Sequence, residues 1–133
     1  MNGEEDMRTV CGKPSISAYN FVKYLCAILA KQGKVIVDLS AITYNIFRFK
    51  ENVSEENLFL FDDIEFRAGI DNSVASADIS EGLNSLQTFG IIGKLNPTYE
   101  KIVIYLTPEE ANAILESCDE KIVTVLNELA QVF

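Results

Sequence analysis

Apolar side chains recur at helical spacing near the start of the chain. Phe21, Val22, Leu25, Cys26, Ile28 and Leu29 form one stripe, which predicts an amphipathic helix. Pro14 with Ser15 or Ser17 opens it, and Gly33 closes it as a left-handed cap. After Lys34–Val37, Asp38 stands where it would cap a second helix carrying Leu39, Ile42, Ile46 and Phe47. The β-branched and aromatic content of 35–39 and 42–49 suits extended structure equally well, so residues 35–50 are open to either reading.

Residues 52–57 form a polar, acidic connection. Leu58–Phe61 and Ile64–Arg67 then read as short extended pieces, with Ile64 and Phe66 alternating against Glu65 and Arg67. On such a strand Phe59 and Phe61 share one face, opposite Leu58 and Leu60. A strand apolar on both faces is either central or covered by a partner, so Phe59 and Phe61 are candidate interface residues. Residues 69–77 read as loop.

The pattern is clearest from Ser76 onward. Ser76 or Asp78 caps a helix whose apolar positions are Ile79, Leu83, Leu86 and Phe89, and Gly90 ends it. Ile91–Leu95 is a strand, Asn96-Pro97-Thr98 a turn, and Lys101–Leu106 a returning strand. Thr107-Pro108-Glu109-Glu110 combines an N-cap threonine, a proline at the first helical position and a capping-box glutamate. From there Ile114, Cys118, Ile122, Val125, Leu129 and Val132 predict one helix of roughly 25 residues, bent near Ser117–Asp119.

Helix, glycine, strand, turn, strand, helix is the order of a winged helix-turn-helix. The expected architecture is an α+β, winged-helix-like single domain over residues 14–133, behind a flexible leader at 1–13. It has a two-stranded wing at 91–106 and a long C-terminal helix. The helix from Asp78 occupies the recognition position, so its exposed residues Asp78, Glu81, Asn84, Ser85 and Thr88 are candidate contacts. Lys94, Tyr99 and Lys101 join them from the wing.

Charge changes the picture. Residues 78–89 contain no Lys or Arg, and only Lys94, Lys101 and Arg67 are placed to meet phosphates. DNA interfaces need several such contacts, so nucleic acid is not expected as a partner of the monomer. The net charge is −9. Residues 1–50 carry seven basic and four acidic side chains (+3), and residues 51–120 carry three basic and fifteen acidic (−12). A surface of that sign repels nucleic acid. It also keeps a domain soluble.

The chain has no histidine, which removes His-activated nucleophiles and histidine metal sites. Asp62, Asp63 and Glu65, and the Glu55-Glu56 pair, read as solvated charge. Residues 71–82 fail as a calcium loop, because Ala75 and Ile79 occupy ligand positions. Gly90-Ile-Ile-Gly93 lacks the basic neighbours of an RNA-binding loop. No phosphate loop is present. A non-enzymatic protein without cofactor or metal is therefore expected. Cys11, Cys26 and Cys118 follow no ligand spacing. Cys26 and Cys118 fall on apolar stripes as reduced core thiols, which points to a reducing compartment. Met1-Asn2-Gly3-Glu4-Glu5-Asp6 is acidic where a signal peptide is basic, and the longest apolar run, Leu25–Ala30, is too short for a bilayer. The expected location is the cytoplasm, with no membrane contact.

The run from Asp78 to Leu95 followed by Ile102–Ala111 resembles a module of small prokaryotic proteins. Among these are middle components of ABC-three-component defence systems, Panacea-type antitoxins and related phage-associated proteins. The likeness rests on a helix ending in leucine, spacers, glycine and isoleucine, a tyrosine-bearing wing strand, and a leucine-threonine cap. The glycine-proline pair that many of these proteins carry before the helix is replaced here by Gly69-Ile70 and a polar loop. The resemblance implies an adaptor or subunit that binds another protein in a defence or phage-associated complex. Two alternatives stand beside it. One is an acidic DNA mimic inhibiting a nucleic-acid-binding enzyme, which requires the carboxylates of 51–120 to line one face. The other is a transcriptional regulator that homodimerises through the C-terminal helix.

Overall fold

The computed structural model describes residues 16–69, 73–95 and 100–133. The leader, Cys11, the Asn96-Pro97-Thr98 turn and Tyr99 lie outside them. The fold is α+β, with helices packed around one core and two small antiparallel sheets.

Helix α1 (Ala18–Lys31) is the centre of the molecule. Nine of its fourteen residues are buried, and it packs against the helices at 77–88, 108–116 and 120–130. A helix apolar nearly all round belongs inside a fold. The Ser17 hydroxyl accepts the Asn20 N–H at 3.1 Å, and the Asp63 carboxylate accepts that of Ala18 at 2.8 Å. Both satisfy donors that the first helical turn leaves free. At the other end Gly33 takes φ +76°, while the N–H groups of Gly33 and Lys34 reach Ala30 and Leu29. This is a Schellman cap.

Residues 35–50 hold both of their predicted alternatives in succession, strand β1 (Ile36–Asp38) and helix α2 (Leu39–Asn52). Asp38 stands at the N-cap of α2, but its side chain makes no cap bond and pairs with Lys101 at 3.0 Å instead.

The extended piece expected at 58–61 is a 3₁₀ helix, Glu55–Phe61. Phe59, Leu60 and Phe61 are all buried. The Phe61 ring lies 5.4 Å from that of Phe21 and 6.4 Å from that of Phe49. A short apolar run carries no period that separates helix from strand. This one plugs the core from a tight helical turn and lies in no sheet.

Strands β2 (Arg67–Ala68) and β3 (Val74–Ala75) pair antiparallel, so the strand predicted at 64–67 is shorter and later than expected, and part of the 69–77 loop is extended. Helix α3 (Ala77–Thr88) is capped by Ser76, whose hydroxyl accepts the Ile79 N–H at 3.2 Å. Strands β4 (Ile92–Lys94) and β5 (Lys101–Ile104) follow. β5 is central in a three-stranded sheet of order β1-β5-β4, with Ile36 opposite Val103 and Ile92 opposite Ile104.

The C-terminal stripe forms two helices rather than the one expected, α4 (Pro108–Glu116) and α5 (Glu120–Ala130). Ser117 donates its hydroxyl to the Ile114 carbonyl, and the Asp119 carboxylate accepts the Lys121 N–H, both at 2.8 Å. Short polar side chains that bond nearby backbone groups interrupt a helix and start the next. The α4 capping box forms as predicted, with Glu110 N–H to Thr107 at 3.1 Å and Thr107 N–H to Glu110 at 2.9 Å. Ile122, Val125, Leu126 and Leu129 of α5 are buried, and α5 packs on α1 and α2.

Candidate interaction surface

Helix α3 presents Ile79, Gly82, Leu83 and Leu86 to the core. Gly82 sets how closely α3 meets α1. A Cβ there would stand 2.9 Å from Val22 Cγ2 and 3.4 Å from Tyr19 Cα. The opposite face exposes Ser80, Glu81, Asn84, Gln87 and Thr88, with Ser85 and Asp78 half-buried. Two candidate contacts are engaged within the chain. The Asp78 carboxylate accepts the Glu65 N–H at 2.8 Å, and the Thr88 hydroxyl donates to the Asn84 carbonyl at 3.0 Å. Glu81 and Asn84 remain as outward polar groups.

Of the three cations expected to meet phosphates, Lys94 and Lys101 lie on paired strands and Arg67 lies in the other sheet. Lys94 is half-buried on β4, Lys101 is neutralised by Asp38, and Arg67 lies on the separate β2–β3 ribbon. Phe59 and Phe61 are 7% and 3% exposed, so the core holds the aromatic surface that a strand would have shown a partner.

Phe89 behaves in the opposite way. Expected in the core, it is 69% exposed. Each three-residue step along a helix falls about 60° short of a full turn, so Phe89 stands about 120° around α3 from Leu83. It is also the C-cap residue. The N–H of Gly90 (φ +78°) bonds Gln87, and that of Ile91 bonds Leu86.

From this position Phe89 pairs edge-to-face with Tyr19 on α1, with centroids 6.2 Å apart and planes at 74°. The Lys23 ammonium lies 5.3 Å from the centre of the Tyr19 ring and 5.7 Å from that of Tyr24. A cation over an aromatic face is held by the ring quadrupole. Tyr19, Lys23 and Tyr24 are not among the sequence-predicted contacts. Their signal was available: before the terminal Lys31, Tyr19, Asn20, Lys23 and Tyr24 are the interruptions in an otherwise apolar helix, spaced so that they share one side.

Carboxylates of the acidic half serve helix starts. Asp63 caps α1, Glu110 closes the α4 box and Asp119 caps α5. Glu55, Glu56, Asp78, Glu109 and Glu120 occupy first turns, where the helix dipole favours negative charge. α1 and α2 carry no acidic residue in the first turn and hold Lys31 and Lys50 in their last turns. The charge asymmetry thus follows in part where helices begin and end.

Burial pushes the Cys26 thiol up to about 12. Cys118, half-buried where a core position was expected, is raised to about 11 by burial and then by the Asp119 charge, against a lowering backbone hydrogen bond. Thiols so disposed are protonated and weakly nucleophilic at neutral pH. Among the described residues no three His, Cys, Asp or Glu side chains converge as a metal site. No helix among them is long and apolar enough to cross a membrane. Compared with protein-family models, curated proteins and solved structures, the chain matches none.

Proposed function

We propose that the chain is a winged-helix-like, non-enzymatic module that acts by binding another protein, as an adaptor or subunit of a prokaryotic defence or phage-associated complex. The succession α1, β1, α2 and then, after an inserted 3₁₀ helix and β2–β3 ribbon, α3, β4 and β5, with the sheet order β1-β5-β4, supports the winged-helix reading. The observation that carries the functional reading is the outward face of α3. The helix in the recognition position offers Glu81, Asn84, Gln87 and Thr88 to solvent and no cation, and Lys101 beside it is already paired. Without phosphate anchoring, base-reading groups such as Asn84 and Gln87 confer little affinity. Dimerisation through the α5 stripe would have to break its packing on α1, so that route to a second basic patch is disfavoured.

Two measurements test the reading. Fluorescence anisotropy with random-sequence duplex DNA is expected to show no saturable binding at moderate salt. Affinity capture with the tagged chain is expected to retain a discrete protein after nuclease treatment. Saturable DNA binding that withstands moderate salt, with no protein captured, would overturn the proposal.

A further inference from the structure

We draw no further inference here: the strongest candidate, the surface patch on the outer face of the β1-β5-β4 sheet where Ile36 and Tyr105 stand exposed, carries nothing, because nothing in the structure shows what covers it.

Discussion

Two phenylalanines on apolar segments end in opposite places, Phe61 in the core and Phe89 at the surface. Phe61 belongs to an apolar run whose pattern leaves open a central strand or a partner-covered face, and it is core, against Phe21 and Phe49. Phe89 ends a stripe expected to be core, and it lies outside against Tyr19. Both regions are apolar and both close at a turn. They differ in what the backbone does at the end. The 3₁₀ helix turns its last residues under α1 and α2, whereas α3 is halted by Gly90 with the Phe89 side chain already past the packed face. Hydrophobicity alone does not assign a residue to the core. The rotational phase at which an element stops decides it.

The contrast is best broken by truncating both rings. Phe61→Ala should cost about 3–5 kcal/mol, the range for a large buried aromatic, and Phe89→Ala less than about 0.5 kcal/mol, as at an ordinary surface site. Chemical denaturation of the two variants measures the difference directly, and equal losses would place Phe89 in the core after all. Next in size is Gly82→Leu. Overpacking the α1–α3 contact should destabilise by about 1–3 kcal/mol and disturb the Tyr19–Phe89 pair, visible as a changed near-ultraviolet circular dichroism signal. An unaffected melt and spectrum would mean the helices stand further apart than the geometry gives.

A smaller effect is expected from Thr107→Ala, which removes half of the α4 capping box for about 1 kcal/mol. Thr88→Ala, at a hydroxyl that bonds only within its own helix turn, should change stability little by the same denaturation measurement. The mildest test concerns pH. The folded-state value of Cys26 is raised, so its stabilising contribution is complete below the ordinary thiol value of 9.0 and is lost as pH climbs from there towards about 12. The decline in melting temperature above pH 9 should be shallower for Cys26→Ala than for the unsubstituted chain. Identical slopes would show the thiol does not contribute.

Local rules written into single residues were legible. Thr107 caps the helix it was expected to open, Ser17 and Ser76 cap theirs as one of two candidates each, with Asp78 inside the first turn, and Gly33 and Gly90 close theirs. The 91–95 and 101–106 strands were readable because a helix-breaking glycine precedes the first and a capping box follows the second. The α+β class followed from that succession. The break between α4 and α5 was foreseen only as a bend, since the apolar period continues through Cys118 while Ser117 and Asp119 redirect the backbone locally.

The candidate surface was less legible. The outward polar side of α3 was read correctly from its helical phase. The Tyr19–Lys23–Tyr24–Phe89 cluster was not, because Phe89 stands 65 positions or more along the chain from the other three. Sequence by itself determined where this protein's elements start and stop, because caps, prolines and glycines act through bonds and sterics within a few residues. Only the tertiary structure decided which aromatics the core takes and which stay exposed. That choice depends on how far each helix has rotated when it meets its neighbour, and on a glycine that lets α1 and α3 come together.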